Sequence, residues 1–312
     1  MEDQAAAQAA VERAQSIATK LPAREQLRIS LRAQQLEAIT DIPNNAKHQA
    51  YKKALDDALA KYPDDAELWL LRGNAEELTA AGRGQSGLMG AIVFYEHALA
   101  VSPNNPAAEH YLVHAYEDNG RPEEAVKHGE IYTHLCPSVP HAHHMYGHGL
   151  ILVRRMDQAI EQFRKADALE NAYYKEDNIP ARYDWHRIHN LELMAGLYEF
   201  KGQIGQAEAF LRQLFSLPAT DGLWAASQGV WPRFLLSHGR YTEARAAAGQ
   251  MTEGKFPLQR ATGHLVAAGA LIGLDRADDA RQEMTAAEKE MESVPETDSE
   301  PLMSQAKPFF FS

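Results

Sequence analysis

A sequence pattern recurs every 34 residues along this chain, and it constrains the fold more than any other feature. The segment AIVFYEHALAVSP, from Ala91 to Pro103, is echoed by AVKHGEIYTHLCP, from Ala125 to Pro137. A third copy, AIEQFRKADALEN, begins at Ala159, again 34 residues later. A fixed period of this length is typical of helix-turn-helix units that stack on one another. The chain is therefore expected to form a helical repeat without a sheet.

Further copies extend the pattern in both directions at less regular spacing. Upstream, Ala58 lies 40 residues before Ala98, which is one period plus an insertion around GRGQSG. Downstream, similar helices begin near alanines at spacings of 48, 37 and 36 residues, namely Ala207, Ala244 and Ala280. Turn-forming pieces such as DNGR, KGQ and SHGR stand just before these alanines. The spacing predicts about six to seven helix pairs.

The repeated small and aromatic residues resemble those of the tetratricopeptide repeat (TPR). That 34-residue unit carries Trp, Gly and Tyr on its first helix and Ala, an aromatic residue, Ala and Pro on its second. The matching residues here are Trp69 with Gly73, Tyr116 with Ala125, Gly147 with Ala159 and Phe163, and Tyr198 with Ala207. The resemblance implies an all-α, right-handed solenoid over residues 46–292. An unrelated helical bundle is the alternative, and the recurrence of the same residues in several copies disfavours it.

The two ends of the chain read differently from the repeats. Residues 1–45 read as one or two helices, broken near Leu21 and Pro22 and again at 41–45, and are expected to cap the first repeat. Residues 293–312 turn to Pro, Ser and acids without periodicity, which predicts a flexible tail. The tail ends in an apolar PFFF run, either a frayed end or a plug that docks on the groove.

Composition excludes several classes of function. A formal charge of -12 argues against nucleic acid as a partner, because phosphate binding depends on clustered Lys and Arg. No apolar run approaches the ~20 residues that span a bilayer, and MEDQAAAQAA lacks the order of a signal peptide. A cytoplasmic protein is expected, or a periplasmic one if an export signal has been removed. The single cysteine, Cys136, excludes an internal disulfide and reads as a packing residue.

The TPR resemblance also places the histidines. In that family the first helices of successive units line a concave groove, through unit positions 2, 5, 9, 12 and 13. Numbered from Pro106, these positions hold His110, His114 and Glu117; numbered from Pro140, they hold His141, His144 and His148. A later unit from Ile188 adds His189 and Glu192. The resemblance therefore implies that three consecutive units direct polar side chains into one stretch of groove.

This arrangement suits a metal ion. Histidines four residues apart share one helix face, with Cβ atoms ~5–6 Å apart, as in the HExxH zinc motif. Neighbouring helices pack ~8–10 Å apart, so imidazoles from two helices can meet. The predicted ligands of one or two ions are His110, His114, His141, His144, His148 and His189, with Glu117 as a further ligand or general base. The alternatives are histidines that line a peptide groove or pack in the core.

An insertion of 14 residues, roughly Asn171 to Arg187, precedes the helix that bears His189. Long connections inside compact repeats are usually functional or disordered, and four aromatics argue against disorder: Tyr173, Tyr174, Tyr183 and Trp185. We expect the insertion to form a wall of the metal pocket; the alternative is a spacer on the convex side. Asp184 and His186 are expected in the second shell, where an acid orients a ligating imidazole.

The remaining histidines are not expected to bind a metal. His143, His128, His134, His97, His48 and His238 are expected on the solvated surface, and His264 is expected to pack in the core.

A narrower resemblance covers about residues 104–202. The blocks PAAEHYLVHAYE, VPHAHHMYGHGL and DWHRIHNLELMA are similar to those of a group of bacterial TPR proteins in which HYxxHxxE, HxxHMxxH and a later HN recur together. That group has no settled reaction. Some members have Pro before the last histidine of the middle block, where this chain has Tyr146 and Gly147.

Three classes of function fit these predictions. Imidazole ligands with one carboxylate suit Zn, Cu or Fe, and an open groove leaves room for a small-molecule or peptide substrate. A metalloenzyme is the leading interpretation, either hydrolytic, with Glu117 as base, or an oxidoreductase acting with oxygen. A metal carrier or storage protein would have similar ligands but no pocket. A TPR adaptor would bind a protein partner without metal, although such grooves usually offer Lys and Arg.

Overall fold

The computed structural model describes residues 4–41, 45–77, 86–179, 185–219 and 222–294. These residues form helices and no strand, so the predicted all-α class is confirmed for the described part of the chain. The helices are α1 (Gln4–Ala18), α2 (Ala23–Thr40), α3 (Asn45–Lys61), α4 (Ala66–Asn74), α5 (Met89–Val101), α6 (Pro106–Asp118), α7 (Pro122–Leu135), α8 (Pro140–Leu152), α9 (Met156–Glu176), α10 (Trp185–Phe200), α11 (Ile204–Ser216), α12 (Gly222–Ser227), α13 (Val230–Ser237), α14 (Tyr241–Thr252), α15 (Pro257–Gly273) and α16 (Ala277–Glu292).

The chain divides into two compact units, Met1–Ala159 and Ile160–Ser312. In the first unit, successive helices from α1 to α8 pack against one another. In the second unit, α10 packs on α11, α13 on α14, α14 on α15 and α15 on α16. The boundary between the units falls within α9.

The recurring alanines explain the pairing of helices. Each of Ala91, Ala125, Ala159, Ala207 and Ala244 is fully buried. Because Ala carries only a Cβ, it lets two backbones approach closely, and the larger side chains on either side fill the space between them. The 34-residue period therefore marks the positions of closest helix contact.

The predicted aromatic residues lie between helices. Trp69 packs against both core clusters of the first unit, which meet on α4. Tyr116, Phe163 and Tyr198 are each at most 3% exposed. In the second unit the Tyr198 ring stacks on that of Phe210, with centroids 5.6 Å apart. Each unit thus has an aromatic core at the predicted repeat positions.

Helix α6, which follows the first copy of the repeat, has a capped N-terminus. Asn105 precedes α6, and its Oδ1 accepts hydrogen bonds from the backbone N–H groups of Ala107 and Ala108. Pro106 is the first helical residue, where its missing N–H costs no intrahelical bond. Pro140 begins α8 in the same way. These starts fix the register of the two helices that carry most of the predicted ligands.

Gly129 brings α7 against α8. A Cβ added there would lie 2.9 Å from the Cα of Tyr146, closer than packed side chains allow. The glycine therefore permits the backbone approach that seats α8 in the first unit.

The N-terminal segment and both ends of the insertion are helical. Residues 4–41 form α1 and α2, with an interruption at Leu21 and Pro22. The insertion is helical at both ends, because α9 continues to Glu176 and α10 begins at Trp185. Residues 180–184 and the tail from 295 onward lie outside the described residues, and so do the predictions for Tyr183, Asp184 and the PFFF run.

None of the helices in the described ranges combines the length and the apolar character needed to span a membrane.

Candidate metal centre

Two helices of the first unit, α6 and α8, contact each other and carry five of the six predicted metal ligands. On α6, the residues Ala108, Leu112 and Val113 are buried in the core, which leaves the face with His110 and His114 directed elsewhere. The helical period of 3.6 residues places these two histidines one turn apart on the same face. The structure confirms the spacing argument for the pair.

A first group of three imidazoles combines both helices. One nitrogen from each of His110, His114 and His141 lies within 4.8 Å of the others. The closest approach joins the Nε2 atoms of His110 and His141, which are 2.9 Å apart. The rings of His110 and His114 have centroids 5.0 Å apart. Three ring nitrogens therefore converge on one point between α6 and α8.

A second group lies beside the first on the same two helices. The Nε2 atoms of His144 and His148 are 3.0 Å apart. The Nδ1 atom of His148 lies 3.1 Å from Oε1 of Glu117, and the other carboxylate oxygen lies 3.8 Å from Nδ1 of His114. Glu117 thus faces both groups, one with each oxygen.

The two nitrogen-to-nitrogen contacts are chemically informative. Between two neutral imidazoles, such a contact is a hydrogen bond only when one nitrogen carries a proton and the other does not. If both rings are protonated, the charges repel. Two nitrogens bound to one tetrahedral ion, with bonds of ~2.0–2.1 Å, lie about 3.4 Å apart. The observed separations are therefore close to those of a metal site and need only a small outward movement.

Access to the site is partial. His114 is 8% exposed and His144 2%, whereas His110, His141 and His148 are half-buried. The side chain of Glu117 is 19% exposed. Buried ligands exclude competing water, and the half-buried ones leave one side of the cluster open to solvent.

The remaining predicted ligand, His189, lies on α10 in the second unit and is half-buried. Its role as a ligand stays a prediction. Glu192, one turn later, is largely buried, and this burial raises the pKa of its carboxyl, while the nearby Arg233 guanidinium opposes the rise. Arg233 in turn has a pKa lowered by burial.

His186 has a carboxylate partner, but it is not one that the sequence suggested. Its Nδ1 atom is bonded to Oε1 of Glu170, and both side chains are buried. Asp184, the acid expected to orient a ligating imidazole, lies outside the described residues. Glu170 belongs to α9, one helix earlier, so only the packing of α9 and α10 could reveal it. A histidine held in this way keeps a fixed ring orientation, and its second-shell role stays a prediction.

Tyr174 is half-buried near the end of α9, and the Arg187 guanidinium lies 5.5 Å from its ring centre. Arg187 also lies 3.8 Å from Asp167. Burial raises the pKa of the Asp167 carboxyl, and Arg187 opposes this effect. Trp185 is the first residue of α10. The predicted roles of Tyr174 and Trp185 in a pocket wall remain predictions.

The expectation for His143 was wrong. His143 is 1% exposed, and its Nε2 atom lies 2.9 Å from the backbone carbonyl oxygen of Pro137. It therefore acts as a structural link at the start of α8. His128 is also more than a surface residue, because its Nδ1 atom lies 2.6 Å from Oε2 of the buried Glu109. His134 and His97 are exposed, as expected.

No protein-family model matches the chain, and no curated protein matches it either. Several solved structures are similar to it. A tetratricopeptide repeat protein from Parabacteroides merdae is 16% identical, aligns over 86% of this chain and 96% of its own, and superposes with a TM-score of 0.53. The fold is that of the tetratricopeptide repeat. MamA from Desulfovibrio magneticus RS-1 is 14% identical, over 59% of this chain and 92% of its own, with a TM-score of 0.46. At 16% identity the likeness to the Parabacteroides protein concerns the fold alone, so it supports the TPR architecture and shows nothing about the histidine groups.

Proposed function

We propose that this TPR protein binds a first-row transition metal between α6 and α8 and acts as a metal-dependent enzyme. The observation that carries the proposal is the convergence of nitrogens from His110, His114 and His141 within 4.8 Å of one another. Chance HxxxH pairs are common on helices, but a third imidazole from a neighbouring helix at 2.9 Å is not explained by helix packing. A bound cation would hold these imidazoles in their neutral form and so prevent the repulsion that arises when neighbouring rings are both protonated.

The donor set selects the metal class. Imidazole ligands suit Zn, Cu and Fe, and the nearby oxygen ligand, Glu117, is compatible with each. Thiolate ligation is absent, because the single cysteine, Cys136, packs against the core of the first unit. A repeat fold already stabilised by stacked helices has no need of a structural zinc. A functional site is therefore the better interpretation.

Three protein ligands leave coordination positions for water and substrate. In the hydrolytic version, an ion held by His110, His114 and His141 would supply an activated water, and Glu117 would accept a proton from it as general base. In the redox version, Cu or Fe exchanges electrons with oxygen and a substrate. The substrate would be a small molecule or peptide that reaches the half-buried side of the cluster. The resemblance to the bacterial group with HYxxHxxE and HxxHMxxH blocks is consistent with either.

A metal carrier is the second candidate, favoured by the partial exposure of His148 and Glu117. A carrier needs ligands that solvent and a partner can reach, so that the ion exchanges. A TPR adaptor that binds a protein partner without metal ranks third, because the groups facing the groove here are imidazoles.

The deciding experiment is elemental analysis of protein purified without a metal-affinity tag, followed by turnover and exchange assays. We expect Zn, Cu or Fe to copurify, and the His110→Ala/His141→Ala double variant to contain less of the metal than the wild-type protein. Ester hydrolysis or oxygen consumption that depends on the metal supports an enzyme. Metal without turnover, transferred rapidly to a chelator, supports a carrier. A folded protein that binds none of these metals would overturn both.

A further inference from the structure

The ligands of α6 and α8 form two convergence points, not one. One is the contact between His110 and His141 at 2.9 Å, and the other is the contact between His144 and His148 at 3.0 Å. The matching ring centroids are 4.7 and 4.6 Å apart. Between the two groups, the rings of His141 and His144 are farther apart, at 5.7 Å, and their planes are nearly parallel. The closest contacts are therefore within each group.

The five imidazoles of α6 and α8 fall into two groups and not one. With metal-to-nitrogen bonds of ~2.0–2.1 Å, two ligands of the same ion lie at most about 4.2 Å apart. His110, His114 and His141 form a complete three-nitrogen group by themselves, and His144 and His148 fall in a separate one. A second ion, bound by His144 and His148, is the simplest interpretation of the second pair.

Glu117 is placed to link the two groups. Its Oε1 atom lies 3.1 Å from His148, and its Oε2 atom lies 3.8 Å from His114. The Oε2 atom is buried and has no hydrogen-bond partner among the described residues. A buried carboxylate oxygen in that state is costly, and a cation nearby would satisfy it. In two-metal sites the ions lie ~3.5–4 Å apart, a span that the two oxygens of one carboxylate can bridge.

From this geometry we propose that the site holds two metal ions, one at His110, His114 and His141 and one at His144 and His148, with Glu117 between them. The inference rests on the proposed metal-binding function and specifies its nuclearity. Five neutral imidazoles and one carboxylate leave two divalent ions with a large excess of positive charge. The centre therefore takes an anionic oxygen ligand, such as hydroxide or a phosphate or carboxylate group of the substrate, across its open side.

The test is stoichiometry measured with Co²⁺, whose absorption reports coordination, and checked with Zn²⁺ by elemental analysis. The wild-type protein binds two ions per chain. The double variants His110→Ala/His141→Ala and His144→Ala/His148→Ala each bind one ion. The exposed His134 serves as a control, and His134→Ala binds two. Helical circular dichroism identifies any variant that fails to fold, and the single variants His141→Ala and His148→Ala then replace it.

Each outcome has one meaning. A wild-type protein with one ion, lost completely in either double variant, overturns the two-ion inference and leaves the metal-binding function intact. No ion in the wild-type protein overturns the function itself. Glu117→Gln weakens the binding of both ions, each by at least the ~10–100-fold that loss of an outer-shell contact costs; an effect on one ion alone would contradict the bridging position. Inorganic phosphate changes the Co²⁺ spectrum of the two-ion protein and not that of the one-ion variants. Identical responses would exclude a bridging anion.

Discussion

The Nε2 atoms of His110 and His141 lie 2.9 Å apart although the residues are 31 positions apart in the chain. The separation is three residues short of the 34-residue period, so the two histidines occupy different positions of successive units. Their contact means that α6 and α8 are offset along their axes by about one turn. The site is thus a product of the repeat register and not of either helix alone.

Metal binding should stabilise the fold through this contact. A ligand present at 100 times its dissociation constant raises the free energy of unfolding by about 2.7 kcal/mol. We expect Zn²⁺ to raise the melting temperature of the wild-type protein and a chelator to reverse the change. His110→Ala/His141→Ala should show a smaller rise and His134→Ala an unchanged one. An equal rise in all three would indicate binding elsewhere.

How much of the site the sequence reveals depends on the helical period. His110 and His114, or His144 and His148, share a face because they are four residues apart, and the repeat length aligns the two helices. The hydrogen-bond partners of His186 and His128 could not be predicted from the helical period. Glu170 and Glu109 reach them from neighbouring helices through packing that no spacing within one helix encodes.

The insertion shows a second limit of sequence reasoning. The sequence predicts the residues from Asn171 to Glu176 as part of a long connection, but they continue α9. The segment NAYYKE has no Pro or Gly, so nothing in it ends a helix, and a longer helix and a connection differ only in what packs around them. His143 was misassigned for a similar reason, because its backbone partner, the carbonyl of Pro137, lies in the turn before α8.

Tyr95→Phe should destabilise the first unit. The Tyr95 hydroxyl donates a hydrogen bond to Oδ1 of Asn74 and accepts one from the backbone N–H of Ser86, and all three residues are buried. Removing the hydroxyl leaves both partners unsatisfied, at a cost of about 1–3 kcal/mol. Urea unfolding followed by circular dichroism measures the change. A loss below the error of the measurement would mean that the partners find other bonds.

Tyr51→Phe should have the opposite effect and stabilise the first unit. Tyr51 is fully buried like Tyr95, but its hydroxyl has no hydrogen-bond partner among the described residues. Burying an unbonded hydroxyl costs about 1–3 kcal/mol, so its removal should raise the free energy of unfolding. The two Tyr-to-Phe changes delete the same atom from equally buried sites, which makes each a control for the other. Equal effects would show that hydrogen bonding is not what separates them.

We expect the buried hydroxyl of Tyr51 to make the protein less stable at alkaline pH. Burial raises the pKa of Tyr51 above the value of about 10 that the unfolded chain has. The folded state therefore holds its proton more tightly, and the associated stability is complete below pH 10 and falls as the pH rises above it. The slope is at most about 1.4 kcal/mol per pH unit for one group. Unfolding measured from pH 8 to 11.5 should show a shallower decline for Tyr51→Phe than for the wild-type protein. Parallel curves would contradict the prediction.

Asp65 joins α2 to the start of α4, and its loss should destabilise the N-terminal part of the first unit. Its buried carboxylate accepts hydrogen bonds from the backbone N–H groups of Glu67 and Leu68, as the N-cap of α4, and it also binds the Arg28 guanidinium at 2.8 Å. Asp65→Ala removes the cap and leaves Arg28 without its main partner, which should lower the free energy of unfolding by about 2–3 kcal/mol. Asp65→Asn keeps an oxygen for the cap and loses only the charge, so it should cost clearly less. Urea unfolding of the two variants separates the contributions. If both variants lose the same stability, the cap contributes nothing, and the ion pairs of Asp65 with Arg24 and Arg28 account for the whole loss.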